Sequence, residues 1–294
     1  MKKTIFTAIV GRPNTGKSTL LNAILGQKVA IVSSKPQTTR TRITGILTKD
    51  DTQFVFLDTP GIHKPHDKLG SYMVKEATGA IGDVDAVLLV VECGSKVSDI
   101  EKNIMRKIAP ETPLILVINK TDISNATQVA ETIIRFSAER EFTAVVPISA
   151  KNGKGIDEVI DEISKYSHES PWFFPDDIVT DQPERAMAAE IIREKMLRLL
   201  AEEIPHGVAV VVESFEESPK IIKIRAEIFC EKDSHKPIII GKRGEMLKKI
   251  GTMAREDMES LFGMKVFLDL WVKVKENWRE TNATIANFGF KDEK

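Results

Sequence analysis

The chain has 294 residues, with 42 lysines and arginines against 43 aspartates and glutamates, and its formal net charge is −1. A near-neutral chain is not a general polyanion binder, so any surface for nucleic acid must be local. The two cysteines, Cys93 and Cys230, lie in separate apolar stretches. This argues against a disulfide framework or a cysteine metal site and fits a reducing cytosol. No apolar run reaches the roughly 18 residues needed to span a bilayer.

Five short apolar runs alternate with helical patterns in the first part of the chain. The runs are near-continuous, as in parallel strands that are buried on both faces of a sheet. The alternation predicts a doubly wound α/β domain, in which ligands bind beyond the carboxyl ends of the strands. The strands are predicted at residues 4–10, 54–57, 86–91, 114–118 and 145–148, and the helices at residues 17–25, 68–80, 99–108, 127–139 and 156–166.

A proline-containing segment then breaks this alternation and is interpreted as a linker. Its aromatic run, residues 172–174, is either a binding patch or, as we favour, a contact that fixes the linker to a domain face. The order helix, two strands, two helices, strand that follows predicts a small α+β domain, and the polar tail gives little reason for order. The helices are predicted at residues 185–203, 245–250 and 252–262, and the strands at 208–213, 221–229 and 265–274. The predicted limits are residues 1–170 for the first domain, 171–183 for the linker, 184–280 for the second domain and 281–294 for the tail.

Residues 11–18 follow the pattern G-x-x-x-x-G-K-[ST] of a phosphate-binding loop, or P-loop, between the first predicted strand and helix. The backbone N–H groups of such a loop wrap a β-phosphate, and the helix N-terminus adds partial positive charge. Lys17 would reach the β- and γ-phosphates, and the Ser18 hydroxyl would bind Mg²⁺. The predicted phosphate-binding residues are Gly11, Arg12, Pro13, Asn14, Thr15, Gly16, Lys17, Ser18, Thr19, Asp58 and Gly61.

The sequence Asp-Thr-Pro-Gly at residues 58–61 ends the second predicted strand. A carboxylate at Asp58 can hold Mg²⁺ through water, and Gly61 can bring its N–H to the γ-phosphate because it has no side chain. Residues 33–45 are predicted to form a mobile loop over the nucleotide, although a merely solvated loop is the alternative. Its Thr39 is the candidate hydroxyl that closes on the metal, which completes a predicted ligand set of Ser18, Thr39 and Asp58.

The sequence Asn-Lys-Thr-Asp at residues 119–122 follows another predicted strand and indicates a guanine site. The Asp122 carboxylate can accept from guanine N1–H and the exocyclic amino group, whereas adenine leaves it unpaired. Asn119 would link neighbouring loops, and Ser-Ala-Lys at residues 149–151 could offer backbone N–H to guanine O6. The predicted base-binding residues are Asn119, Lys120, Asp122, Ser149, Ala150 and Lys151.

These motifs, in this order, resemble the five nucleotide boxes of the translation-factor-like small GTPases. The chain departs from Ras-like proteins at Ile62, where they carry a glutamine that orients water. It thus resembles the hydrophobic-substituted GTPases, several of which have Asn at the position of Asn14 and are activated by potassium. A cation at Asn14 could deliver the positive charge of an arginine finger, or Asn14 could simply bond within its loop. The predicted catalytic residues are Lys17, Thr39, Gly61 and Asn14.

In the second domain, Gly-Lys-Arg-Gly at residues 241–244 follows an apolar run and precedes a helical pattern. G-x-x-G between helices is the signature of a KH domain, here of type II, whose loop clamps about four nucleotides. Residues 236–279 contain ten Lys/Arg against six Asp/Glu. The predicted RNA-binding residues are Ile240, Gly241, Lys242, Arg243, Gly244 and Lys248.

One GTPase domain followed by one KH domain resembles the Era family of GTPases across nearly the whole chain. The P-loop, the run Lys-Pro-Gln-Thr-Thr-Arg at residues 35–40 and residues 241–244 carry the match. The resemblance implies GTP or GDP with Mg²⁺ as cofactors, and a role in small-ribosomal-subunit assembly through the 3′ end of the small-subunit rRNA. It also implies a cytoplasmic protein, with possible peripheral contact to the inner membrane, and a monomer is expected. Tandem GTPases are excluded because the chain has one P-loop.

The leading interpretation is an enzyme used as a switch, which binds RNA with GTP and releases it with GDP. The alternative is a nucleotide-gated RNA-binding module in which turnover is incidental. An ATPase or kinase is a third reading, and the guanine motif at residues 119–122 argues against it.

Overall fold

The structure is a computed structural model and describes residues 1–290. Its internal contacts divide the chain into two compact units. The first contains Met1–Lys64 and Met73–Asp181, and the second contains Pro65–Tyr72 and the chain from Gln182 onward. The predicted domain limits stay a prediction. Within residues 1–290, no helix is both long enough and apolar enough to cross a membrane.

The first unit is built on a sheet in the order β2-β3-β1-β4-β5-β6, with the short β7 paired to the start of β1. The pairs among β1, β3, β4, β5 and β6 are parallel, because helical crossovers connect these strands. The strands are β1 (Lys3–Val10), β2 (Ile43–Lys49), β3 (Thr52–Asp58), β4 (Ala86–Glu92), β5 (Leu114–Asn119), β6 (Ala144–Pro147) and β7 (His168–Glu169).

Helices cover both faces of this sheet, which explains the near-continuous apolar runs of its strands. Ile5 and Ile9 of β1 pack in the same core as the first and fifth helices. Ala8 and Val10 point into the opposite core, which contains the second, third and fourth helices. The helices are α1 (Lys17–Leu25), α2 (Lys68–Gly79), α3 (Asp99–Lys107), α4 (Ala126–Ser137) and α5 (Ile156–Ser164). The predicted doubly wound α/β fold is confirmed.

The segment predicted as a mobile loop ends earlier than expected. Strand β2 begins at Ile43 and runs antiparallel to β3 at the edge of the sheet. Ile43 and Ile46 are buried and supply the apolar face that this edge strand needs. The loop itself therefore lies between α1 and residue 43.

The aromatic run of the predicted linker is fixed to the first unit. The side chain of Gln53 accepts hydrogen bonds from the N–H groups of Phe173 and Phe174 and donates one to the carbonyl of Phe174. The Phe173 ring meets Phe6 edge to face at 5.1 Å, and Lys2 lies over the Trp172 ring. The preferred interpretation of this run as a fixing contact is confirmed.

The second unit contains a three-stranded sheet in the order β10-β9-β8, in which β10 is parallel and β8 antiparallel to β9. Two long helices, α6 and α8, share one apolar core with the inner face of this sheet. Alternate residues of β10, from Val266 to Val274, join that core as predicted. The elements are α6 (Glu184–Leu199), β8 (Ala209–Ser218), β9 (Ile221–Cys230), α7 (His235–Ile240), α8 (Glu245–Phe262), β10 (Lys265–Val274) and α9 (Asn282–Asn287).

The two helices predicted after residue 244 are one continuous helix, α8. The gap between the two predicted helices falls at Gly251, which lies inside α8 and faces β10 at ordinary contact distance. A Cβ atom there would lie 3.4 Å from Leu270 Cδ1 of β10. Helix α7, which precedes the glycine loop and contains the apolar run at residues 238–240, was not among the predicted helices.

The tail was predicted to lack order, and for residues 281–290 this is wrong. Helix α9 buries Ile285. The ring of Phe288 lies 5.3 Å from that of the fully buried Trp278 and 4.6 Å from that of Phe229. A few aromatic side chains thus order a segment that is otherwise polar. Residues 291–294 of the predicted tail lie outside the described residues.

Candidate functional site

The P-loop joins β1 to α1 and is packed too tightly for side chains at its two glycines. A Cβ atom on Gly11 would lie 2.3 Å from the carbonyl oxygen of Val90, and one on Gly16 would lie 2.2 Å from Asn119 Nδ2. Gly16 also has a left-handed backbone with a φ of 96°, which favours glycine. These contacts fix the loop against two other strand ends.

Inside the loop, the carbonyl of Arg12 accepts hydrogen bonds from Lys17 Nζ at 3.0 Å and from Thr15 Oγ1 at 3.1 Å. The guanidinium of Arg12 contacts the buried carboxylate of Glu101 in α3. Arg12 therefore contributes its backbone to the loop, while its side chain anchors the loop to α3. The role of Glu101 had no signal in the sequence motifs.

The three predicted metal ligands lie together. Ser18 Oγ lies 2.8 Å from Thr39 Oγ1 and donates to Asp58 Oδ2 at 2.7 Å. Asp58 is fully buried and Thr39 nearly so. Hydroxyl and carboxylate oxygens are the hard donors that Mg²⁺ prefers, so this cluster fits the predicted metal.

Burial perturbs the two charged groups beside this cluster. Desolvation raises the pKa of Asp58 to about 6, although the charge of Lys17 opposes the shift. Desolvation likewise lowers the pKa of Lys17 to about 8, against the attraction of Asp58. Burial therefore destabilises the charged form of both side chains. The positive charge of a bound metal would stabilise ionised Asp58, and the negative charge of a bound phosphate would stabilise protonated Lys17.

The residues after Asp58 return to the P-loop. A Cβ atom on Gly61 would lie 2.6 Å from Pro13 Cα, so this close approach requires glycine. The N–H of Ile62 donates to the carbonyl of Gly11 at 3.2 Å, and its side chain is buried in the core with Val10. Ile62 therefore points away from the cleft and cannot take the place of the water-orienting glutamine.

One cleft brings the four predicted catalytic residues together, since Asn14, Lys17, Thr39 and Gly61 all line it. Asn14 has a φ of 64° and donates its side-chain amide to the carbonyl of Ser34 at 2.8 Å. Five further residues of the cleft were not predicted as site residues, and all of them come from the segment between α1 and β2. They are Ile31, Val32, Ser33, Gln37 and Thr38.

Asn119 links three loops, as predicted from the sequence. Its Nδ2 donates to the carbonyl of Thr15 in the P-loop at 2.9 Å. Its Oδ1 accepts from the N–H of Ala150 at 3.0 Å and from that of Lys120 at 2.8 Å. This buried side chain therefore holds the predicted base-binding loops against the phosphate loop.

The other predicted guanine-binding residues lie around this junction. Ser149 Oγ donates to Asp122 Oδ1 at 2.8 Å, which orients the exposed carboxylate. Lys120 pairs with Glu92 at 2.8 Å, and Lys151 is exposed. The Glu92 contact was not predicted.

In the second unit, the glycine loop has the backbone that its sequence requires. Gly241, Arg243 and Gly244 have φ values of 76°, 53° and 81°. A Cβ atom on Gly241 would lie 2.6 Å from Met246 Cβ, so the loop turns tightly onto the start of α8. Lys242 and Arg243 are exposed at this turn. The loop thus presents two cations next to a helix N-terminus.

A groove of about 390 Å³ runs from this loop between α8 and β10. Of the predicted RNA-binding residues, Gly244 and Lys248 line it, while Ile240, Gly241, Lys242 and Arg243 are not among its lining residues. The sequence motif did not reveal the other lining residues, because they come from one face of a helix and one strand. They are Leu247, Gly251, Thr252, Arg255, Leu268 and Leu270.

Comparison with known protein families assigns both units. Residues 6–120 match the family described as a 50S ribosome-binding GTPase. Residues 203–279 match the KH domain family. The predicted combination of a P-loop GTPase domain with a C-terminal KH domain is confirmed.

The relatives agree over the full chain. GTPase Era of Clostridium kluyveri is 48% identical over 293 residues, which cover 99% of this chain and 100% of the relative. GTPase Era of Clostridioides difficile is 50% identical over 296 residues, which cover 99% and 100%.

Two solved structures have the same fold. A structure of Era in complex with MgGDPNP and nucleotides 1506–1542 of 16S ribosomal RNA is 40% identical, with a TM-score of 0.95 over 99% of this chain and 100% of that one. A variant of Aquifex aeolicus Era bound to GDP and aluminium fluoride is 41% identical, with a TM-score of 0.94 over the same shares. The chain therefore belongs to the Era family of GTPases.

Proposed function

We propose that this chain binds GTP and GDP with Mg²⁺ at the cleft of the first unit and hydrolyses GTP to GDP and phosphate. The observation that carries the proposal is the gathering of Ser18, Thr39 and Asp58 oxygens beside the buried Lys17. Ser18 and Thr39 would bind the metal directly and Asp58 through water. The metal supplies positive charge that offsets the charge developing on the phosphates.

Asp122 is proposed to select guanine. Ser149 already orients its carboxylate through a 2.8 Å hydrogen bond. An ionised carboxylate can only accept hydrogen bonds, and guanine offers two donors on that edge, whereas adenine offers an acceptor. GTP is therefore bound in preference to ATP.

Asn14 is proposed to hold a monovalent cation next to the phosphates. Its amide already meets the carbonyl of Ser34. Rotation of that amide would turn two oxygens toward a common point, which suits K⁺. The positive charge would act as an arginine finger does in other GTPases.

The cation proposal predicts faster hydrolysis in KCl than in NaCl at equal ionic strength. The stimulation is expected to disappear in Asn14→Ala, while GTP affinity measured with a fluorescent nucleotide stays unchanged. Equal rates in both salts for the unmodified protein would remove Asn14 from the catalytic residues.

The second unit is proposed to bind the 3′ end of 16S rRNA during small-ribosomal-subunit assembly. The support is the glycine loop with exposed Lys242 and Arg243, continuous with the groove along α8. The 16S rRNA segment bound by the related Era structure belongs to that end. A cytoplasmic location follows from this partner, and peripheral membrane contact and a monomeric state stay predictions.

One experiment tests both activities. GTP hydrolysis is measured with and without Mg²⁺, and binding of an RNA that carries the 16S 3′ end is measured with GDPNP, GDP and no nucleotide. Mg²⁺-dependent release of phosphate and tighter RNA binding with GDPNP are expected. Equal affinity for ATP and GTP, or nucleotide-independent RNA binding, would contradict the proposal. A hydrolysis-blocked variant that still leaves the RNA would favour the nucleotide-gated module.

A further inference from the structure

The cleft lacks the usual water-orienting glutamine, because Ile62 is buried in the core. It is nevertheless lined by two other carboxamides, those of Asn14 and Gln37. The Asn14 amide donates to Ser34. Gln37 lies in the loop before β2, and its amide meets His63, two residues after Gly61. The function described so far gives neither Gln37 nor His63 a role.

The backbone of Gln37 has a conformation that is uncommon for a residue other than glycine. Its φ is 59°, in the left-handed region. Residues other than glycine are uncommon there, and such conformations cluster at functional sites. The next two residues, Thr38 and Thr39, are buried in the same cleft. The loop therefore holds Gln37 next to the proposed metal ligand Thr39.

The contacts of His63 define which atoms of Gln37 are engaged. His63 Nδ1 lies 2.9 Å from the carbonyl oxygen of Gly61. A carbonyl oxygen only accepts hydrogen bonds, so Nδ1 carries the ring proton and Nε2 of the neutral ring is an acceptor. Gln37 Nε2, at 3.2 Å, is then the donor to His63 Nε2. This arrangement leaves the carbonyl oxygen of the Gln37 side chain to accept from another group.

We propose that Gln37 is the catalytic residue that orients the attacking water, and that His63 is the positioning residue that holds Gln37. This inference rests on the proposed hydrolysis of GTP at the cleft. Gln37 Oε1 accepts a hydrogen bond from the water. The water oxygen forms a bond to the γ-phosphorus as the bond to the β–γ bridging oxygen breaks. The electron pair of that bond leaves with GDP, and the water proton passes to a phosphate oxygen.

The arrangement also couples two loops. His63 bonds to Gly61, which is the residue proposed to contact the γ-phosphate, and to Gln37 on the opposite loop. Closure of Gly61 on the γ-phosphate would therefore place Gln37 in the same step. A glutamine in the loop before β2 thus orients the attacking water, whereas in Ras-like proteins the glutamine that does so lies in the loop after β3.

The test compares single-turnover hydrolysis of GTP with GTP affinity. Gln37→Met keeps the length of the side chain and removes its hydrogen-bonding groups, and it is expected to slow hydrolysis about 100-fold with unchanged affinity. His63→Ala is expected to slow hydrolysis about tenfold, and His63→Gln, which restores an acceptor, to recover most of the rate. The matched controls Gln27→Met and His66→Ala change exposed residues of the same types and should leave the rate unchanged.

Two further measurements separate catalysis from folding. Binding of aluminium fluoride to the GDP complex, which imitates the transition state, should be lost in Gln37→Met. The double variant Gln37→Met with His63→Ala should hydrolyse GTP no more slowly than Gln37→Met alone, because His63 acts on hydrolysis only by positioning Gln37.

A rate for Gln37→Met within about twofold of the unmodified protein would overturn the inference. So would additive effects in the double variant, or a slower rate that only follows weaker GTP binding. An unmodified protein that hydrolyses no GTP would instead overturn the proposed function itself.

Discussion

The nucleotide loops and the glycine loop of the KH unit are built in different ways. The nucleotide loops are joined by side chains, above all by Asn119, whose three hydrogen bonds connect the P-loop to both base-binding loops. The glycine loop is shaped by its backbone, and its cations Lys242 and Arg243 stand exposed.

The difference matches what each region must do. Phosphoryl transfer depends on the position of every group, and Lys17, Thr39 and Asp58 are accordingly buried. Asp122 is exposed, but Ser149 holds its carboxylate in place. Binding to a nucleic-acid backbone depends on summed charge, so its residues act nearly independently. We therefore expect large single-residue effects at the nucleotide site and smaller, additive effects at the KH loop.

The largest expected effect is at Asp122. Asp122→Asn replaces an acceptor by a group that also donates, and it should weaken GTP binding relative to xanthosine triphosphate by about 10⁴-fold. Competition binding with both nucleotides measures the change. Asp157→Asn, at an exposed position of α5, is the control. Retention of the GTP preference by Asp122→Asn would show that the base is read elsewhere.

The second prediction concerns the nucleotide site and the pH dependence of protein stability that Asp58 causes. The folded nucleotide-free protein holds Asp58 with a pKa of about 6 against an ordinary 3.8. Between these values the folded state binds more protons than the unfolded state, so the free energy of unfolding falls as pH rises. Protonated Asp58 contributes about 3 kcal/mol to the free energy of unfolding below pH 3.8, and this contribution is lost as pH rises through 6. Urea unfolding from pH 4 to 7 should show this slope, and Asp58→Asn should lack it. Equal slopes in both proteins would refute the assignment.

A third prediction tests additivity at the KH loop. Lys242→Gln with Arg243→Gln should weaken RNA binding about tenfold and reduce the log–log salt slope by about 1.4, with half of that reduction from each single change. Titrations of RNA at several salt concentrations give the slopes, and GTP affinity is the internal control. If Lys242→Gln or Arg243→Gln alone removed all RNA binding, the two cations would not act independently, and the expected difference from the nucleotide site would be contradicted.

The smallest expected effect is at Gly251, which lies inside α8 and lines the groove. Gly251→Ala should raise the free energy of unfolding by about 0.5–1 kcal/mol, because alanine favours the helix. The added methyl group would contact Leu270 and make the groove shallower, so RNA affinity should fall slightly. Unfolding and RNA titrations measure the two changes. A rise in both stability and affinity would place the RNA outside the groove.

The sequence predicted those parts of the molecule that depend on local pattern. The strand–loop–helix context of the P-loop placed Lys17 and Ser18, and the alternation of β10 placed its inner face, because strand periodicity is local. Strand β2 was not predicted, since its apolar residues Ile43 and Ile46 follow a threonine- and arginine-rich segment that was interpreted as a loop.

What the sequence could not predict are pairings between distant segments. The contact of His63 with Gln37 and that of Arg12 with Glu101 join residues whose spacing has no motif. The split of α8 at Gly251 was wrong because the burial of Ile250 and Ala254 on either side of it outweighs the low helix propensity of a single glycine. The order of the tail depends on Phe288 and its aromatic neighbours, which only the folded unit brings together.

The aromatic contacts of Phe288 and Phe290 with Trp278 also determine the order in which the two units can fold during synthesis. The first unit obtains its last strand, β7, and its fixing aromatics by residue 174, so it can mature while the ribosome is still translating the remainder. The second unit keeps Trp278 uncovered until residues 288 and 290 have left the exit tunnel. Premature termination a few codons short of that point would therefore release a chain with a finished first unit and an open second unit, which is a substrate for quality control.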